Sequence, residues 1–175
     1  MIRDGRNNKV IFLSHCILNS NAICVGPKTP SIWPGMIDEV VECLRKNKVG
    51  IVQLPCPEQS FFGFVRKNDV KSEMDTAEFR SHCKEFAKEA ADAVEGYVKN
   101  NFKVVGFLGK RGSPSCGVKE TWTKVSGETK LVKEQGIFVE ELRRELERRN
   151  ISLPFIDFER EEVENCVKEL ERLVK

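Results

Sequence analysis

The chain has 175 residues, with 29 Lys and Arg against 27 Asp and Glu and a formal net charge of +2, long enough to bury a core of its own. That balance argues neither for nor against nucleic acid, since a dedicated backbone binder shows a basic stripe. No apolar run approaches the ~20 residues of a membrane-spanning helix, and polar Met1 to Lys9 leaves no place for a signal peptide's apolar core. A cytoplasmic protein of one domain over residues 1–175 is expected. In that reducing compartment its seven cysteines are buried fillers, metal ligands or nucleophiles rather than structural disulfides.

Val10-Ile11-Phe12-Leu13 has the pattern of a buried strand. Beyond Trp33-Pro34, the recurrence of Ile37, Val40, Val41 and Leu44 at i, i+3, i+4, i+7 predicts a helix. Val49 to Leu54 predicts a second strand. A long helix is expected to open at Asp75, with Glu78 three residues on in the manner of a capping box, and with Phe79, Cys83, Phe86, Ala90 and Val94 along its stripe. Lys103 to Leu108 is the third strand. From Gly109 to Gly136 the chain is rich in Gly, Ser, Thr and Lys without a clear period, and reads as loop or short irregular strands. Val139, Leu142 and Leu146 mark a further helix. Ile151 to Phe158 is a fourth strand whose Pro154 cannot donate to a ladder and so favours an edge. Val163, Cys166, Val167, Leu170 and Leu173 mark the last helix. Such alternation specifies an α/β fold, a three-layer Rossmann-like domain with a mostly parallel sheet, and the proposed strand order is 2-1-3-4.

The cysteines divide by position. Cys83 and Cys166 lie on apolar helical stripes and Cys43 at the margin of one, as small buried hydrophobes do. Cys16, Cys56 and Cys116 each follow a predicted strand, in Ser14-His15-Cys16, in Pro55-Cys56-Pro57-Glu58 and in Ser113-Pro114-Ser115-Cys116-Gly117. Open α/β sheets bind ligands at the carboxyl ends of their strands, so the order 2-1-3-4 delivers three thiols to one crevice. Three convergent thiolates suggest a soft metal site. Zinc with His15 as a fourth ligand is one solution. A 4Fe-4S cluster is another, with one iron left open by three protein ligands, or closed if Cys24 is a fourth.

With these residues in view, the chain resembles the thiouracil desulfidase (TudS) family. The resemblance rests on Cys16 after a strand, on Cys56-Pro57-Glu58, on Ser113-Pro114-Ser115-Cys116-Gly117 and on the spacing of Gly127 and Gly136. It implies an enzyme, a cytoplasmic, oxygen-sensitive iron–sulfur desulfidase. Cys16, Cys56 and Cys116 would bind a 4Fe-4S cluster whose open iron takes sulfur from a thiolated pyrimidine without net redox chemistry. The segment after Cys16 (Ile17-Leu18-Asn19), the place of Cys24, and Gln59-Ser60-Phe61-Phe62-Gly63-Phe64 depart from the family pattern and mark a divergent member.

In this reading Glu58 is the base that takes a proton from water, and Ser113 or Ser115 donates to the substrate or steadies the intermediate. His15 is a supporting group or a proton donor. Trp33, Phe61, Phe62 and Trp122 could wall a flat heterocycle, and Arg66, Lys67, Lys110 and Arg111 could hold an anion. The partner is a small thiolated heterocycle or thionucleotide, with a tRNA nucleoside as a further case, no membrane is involved, and the oligomeric state stays open. The rival readings are an iron–sulfur hydro-lyase and a non-enzymatic Fe-S or Zn binding module. A Cys16 nucleophile with His15 as base is disfavoured if both lie on a strand, where neighbours point to opposite faces.

Overall fold

The computed structural model describes residues 5–24, 34–67 and 70–175. Its strands are β1 (Lys9–Leu13), β2 (Gly50–Gln53), β3 (Lys103–Lys110), β4 (Thr121–Val125), β5 (Glu128–Val132) and β6 (Phe155–Phe158). Four of them form a parallel sheet in the order β2-β1-β3-β6. This is the proposed order 2-1-3-4, with β6 as the fourth sheet strand. Pro154 sits just before the edge strand β6, where its missing N–H costs no ladder bond.

The helices are α1 (His15–Leu18), α2 (Asp38–Lys46), α3 (Pro57–Phe62), α4 (Lys71–Met74), α5 (Ala77–Lys99), α6 (Ile137–Arg148) and α7 (Val163–Val174). None among the described residues is long and apolar enough to cross a membrane. Side chains alternate across a strand, and β1 shows the consequence. Val10 and Phe12 enter a core shared with α5 and α6, while Ile11 and Leu13 enter one shared with α2 and α7. Both faces of the sheet are thereby covered, which gives three layers. Cys83 joins the first core, and Cys43 and Cys166 the second, as apolar filler.

Two local expectations are corrected. The long helix α5 is capped by Thr76, whose Oγ1 accepts from the Phe79 N–H at 3.1 Å, while Asp75 pairs instead with Arg80 through two hydrogen bonds of 2.9 and 2.7 Å. Residues 121–132 are not irregular either: β4 and β5 form an antiparallel hairpin. Its two turn residues, Ser126 (φ 53°) and Gly127 (φ 82°), are both left-handed, as a tight two-residue hairpin turn requires.

Candidate metal centre and catalytic site

Because β1, β2 and β3 run parallel, with Leu13 paired to both Gln53 and Leu108 beyond a register shift between Val10 and Phe12 on the β3 side, their carboxyl ends lie along one edge. The strand order reverses between β1 and β3, which is where an open α/β sheet forms its crevice. Beyond β1, the Ser14 N–H binds Leu108 O at 2.9 Å and the chain turns into α1, placing Cys16 in its first turn. Beyond β2, Cys56 is the N-cap of α3, with its sulfur accepting from the Gln59 N–H at 3.4 Å. Pro57 follows at the first helical position, where its fixed φ suits the turn, and Glu58 comes next.

The third loop is clamped from three sides. Ser113 Oγ accepts the backbone N–H groups of Ser115 (3.3 Å) and Cys116 (3.0 Å). The first N–H groups of α6 are spent on the same loop: Ile137 N binds Pro114 O at 2.9 Å and Val139 N binds Ser115 O at 3.2 Å. Gly136, the N-cap of α6, lies so close that a Cβ there would stand 2.4 Å from the Ser115 carbonyl. From β6, Asp157 accepts Val118 N (2.8 Å) and Lys119 N (2.7 Å). Its role is carried by no local pattern, and sequence reasoning missed it.

These loops enclose a cavity of about 500 Å³ whose wall includes Cys16, Cys24, Cys56 and Cys116 together with Glu58, Ser113 and Ser115. Cys16, Cys56 and Cys116 act on one another electrostatically, whereas the charges that weigh most on Cys24 are those of Glu58, Arg66 and Lys110. Burial pushes the Cys16 thiol up to about 12, opposed by Lys110, and raises Cys56, Cys24 and, most strongly, Cys116. Such thiols give up their protons to a cation that replaces them.

Glu58 is 7% exposed and receives three donors. Ser115 Oγ (2.5 Å) and Ser113 Oγ (3.1 Å) both donate to Oε1, and Arg66 Nε lies 3.4 Å from Oε2. Arg66 also donates from Nη2 to Ala22 O at 2.6 Å and approaches the Cys56 sulfur at 3.7 Å.

Other expectations divide. His15 and Cys16 lie on a helix rather than a strand and both line the cavity, so the argument from opposite faces does not apply. Trp122 is on the wall. Phe61 and Phe62 are not; they pack on Phe79 with ring centroids 5.3 and 4.9 Å apart. Trp33 lies outside the described residues. Arg66, Lys110 and Arg111 reach the cavity and Lys67 does not, but each wall cation faces a carboxylate. Glu58 faces Arg66, Glu159 faces Lys110 at 3.9 Å, and Glu120 faces Arg111 at 2.7 Å. Among the described residues the wall carries Glu73, Glu159 and Glu161 besides Glu58, so its carboxylates outnumber the three cations Arg66, Lys110 and Arg111.

Among the described residues no three His, Cys, Asp or Glu side chains are gathered tightly enough for a single metal ion. The spread of the thiols over three loops, around a cavity of this size, suits a larger polynuclear group. Two polar atoms of wall residues, Ser14 Oγ and Arg66 Nη1, are buried without hydrogen-bond partners among the described residues.

No family model matches the chain. It is 33% identical over 172 residues to the uncharacterized protein MJ0003 of Methanocaldococcus jannaschii, covering 97% of this chain and 99% of that one. Among solved structures, the 4Fe-4S-dependent thiouracil desulfidase TudS is similar with a TM-score of 0.53 over 94% of this chain and 99% of that one. At 15% sequence identity this likeness shows a shared fold.

Proposed function

The chain belongs to the family of the archaeal protein MJ0003, and we propose that it is a desulfidase that hydrolyses a thiolated pyrimidine with a 4Fe-4S cluster held by Cys16, Cys56 and Cys116. The observation that carries this reading is the meeting, in one cavity, of three thiols from three strand ends with a buried carboxyl held by two serines and an arginine. The structural likeness to a 4Fe-4S-dependent thiouracil desulfidase supports the choice of cofactor and substrate class. When bound, the cluster would supply an open iron as a Lewis acid for the thiocarbonyl sulfur.

The chain's own residues supply the rest. The Ser113 and Ser115 hydroxyls both donate to Glu58 Oε1 and fix the carboxyl, and Oε2, which also accepts from Arg66 Nε at 3.4 Å, is the oxygen that takes a proton from water. Their proposed role is therefore to orient the base rather than to steady the substrate oxygen. The clamp of α6 and Asp157 on the third loop holds Cys116 in place. The reaction balances without oxidant or reductant: a C=S bond and water become a C=O bond and hydrogen sulfide.

The presence of Cys24 on the wall favours one second reading, a closed four-cysteine cluster for electron transfer. Anaerobic reconstitution, iron and sulfide counting, and incubation with 2- and 4-thiouracil test both. A loaded protein that releases sulfide, loses iron in Cys16→Ala, Cys56→Ala and Cys116→Ala, and keeps it in Cys24→Ala supports the desulfidase. A loaded protein that is inert toward every thiolated base, and that loses iron in Cys24→Ala, supports the closed cluster instead.

A further inference from the structure

We propose that the exposed apolar face formed by the end of α3 and the stretch that follows it is a two-fold contact between two copies of this chain. Of the seven large apolar residues exposed among the described residues, four fall within five positions: Phe61 (41%), Phe62 (41%), Phe64 (75%) and Val65 (90%). The base of this face is ordered. The Phe61 ring lies 5.2 Å from that of His82, His82 lies 4.5 Å from Phe86, and Ser60 Oγ is 2.8 Å from His82 Nε2, so α3 is fastened along α5. Above it is open space, where a Cβ on Gly63 would meet nothing within 4 Å. With a whole Phe presenting ~200 Å² and a Val somewhat less, the four residues expose on the order of 450 Å². That is more than half of the ~800 Å² each partner brings to a standard interface, and a patch of this size on a soluble protein marks an interaction site.

The charges around the face point to a second copy as its occupant. Phe62 packs on Phe79 while Ser60 reaches His82, so α3 and α5 run in opposite directions. The chain past Phe62 therefore leaves by the start of α5, where Lys67 and Lys124 both act on Glu73 of α4. Toward the other end, exposed Glu85 and Glu89 stand three residues on from His82 and Phe86, along one flank of α5. The face thus carries an excess of cations at one end and carboxylates at the other. A two-fold axis through its aromatic centre lays one copy on the other in reverse, so that like apolar surfaces meet and Lys67 turns toward the partner's Glu85 and Glu89. A surface of mixed sign has no such match with the uniformly anionic face of a nucleic acid or an acidic membrane.

Sedimentation equilibrium of the anaerobically purified protein at micromolar concentrations tests this. The mass should rise with concentration from the 20.0 kDa of one chain to twice that value and stop there. The double change Phe64→Ser and Val65→Ser alters only exposed side chains, so folding is not at stake. It should weaken self-association by at least ~10-fold, as loss of apolar anchors does. Lys67→Glu should weaken it too, and adding Glu85→Lys and Glu89→Lys to that variant should restore it. A single-chain mass throughout, growth past two copies, a dimer indifferent to the Phe64 and Val65 changes, or a charge swap that restores nothing each overturns the proposal. A single chain that sediments with vesicles of zwitterionic lipid would give the face to a membrane and overturn it as well. None of these readings depends on sulfide release, so the contact and the desulfidase stand or fall separately.

Discussion

Glu58 Oε1 accepts two serine hydroxyls, and Ser115, the nearer at 2.5 Å, is fully buried. Replacing Glu58 by Gln keeps the shape and removes the proton acceptor. Sulfide release should fall by ~10²–10⁴-fold, the usual worth of a positioned base, with iron content unchanged; a Glu58→Gln protein that turns over normally rules the base out. Ser115→Ala should cost less, because Ser113 Oγ still reaches the same oxygen. The two variants can be ranked in one anaerobic sulfide assay. At this scale the sequence offers Cys16, Cys56, Cys116, Glu58, Ser113 and Ser115 as candidates, because short motifs after predicted strands carry them, and the fold brings all six to one cavity wall. What the serines donate to could not be read there, since Glu58 lies 55 and 57 residues away along the chain. Arg66 was legible only as a cation, and its buried engagement with Glu58, Ala22 and Cys56 depends on packing that no local pattern encodes.

Between elements, the contact of α6 with the third loop is closer than any side chain allows. Gly136→Ala would drive a Cβ to 2.4 Å from the Ser115 carbonyl, against backbone that cannot swing aside as a side chain could, so the loop bearing Cys116 must move. Such overpacking costs about 1–3 kcal/mol, and the displaced loop should retain less iron per chain. Gly96 offers the opposite case: it lies inside α5 with open space where a Cβ would go, so Gly96→Ala should stabilise by about 0.5–1 kcal/mol with iron binding unaffected. Urea unfolding midpoints and iron counts on the two variants check both signs together. The strands and the long helices could be read from their periodicity. The hairpin of β4 and β5 was missed although Thr121 and Thr123 alternate inward and Ser126-Gly127 supplies the turn. Its strands are too polar to stand out by hydrophobicity, and β5 buries none of its five residues. The start of α5 was misplaced by one cap because Asp75 and Thr76 are both good N-caps, and the pull of Arg80 on Asp75 decided between them.

Across the whole molecule, the parallel sheet sets where the site lies and an ion-pair network ties down its flank. Arg80 on α5 holds Asp75, Glu140 and Glu141, while Lys71 on α4 holds Glu140 and Glu134. This network joins α4, which follows Val70 on the cavity wall, to α6, which grips the Cys116 loop. The Arg80 hydrogen bond holds the Asp75 carboxyl below its ordinary range. Burial pushes Glu140 up, but Lys71 and Arg80 together outweigh it and leave that carboxyl lowered too. A carboxyl depressed in the folded state contributes stability that is complete above the unfolded-chain values of about 3.9 for Asp and 4.3 for Glu. It is lost as pH falls through the lower folded values. The metal-free protein should therefore show a urea midpoint that declines as pH is taken down from about 5 through that window. Arg80→Gln should be less stable at neutral pH and show a shallower decline, because it has less to lose on protonation. Parallel pH profiles for the two proteins would mean that the network contributes nothing to acid stability and that the flank of the cavity is held by apolar packing alone.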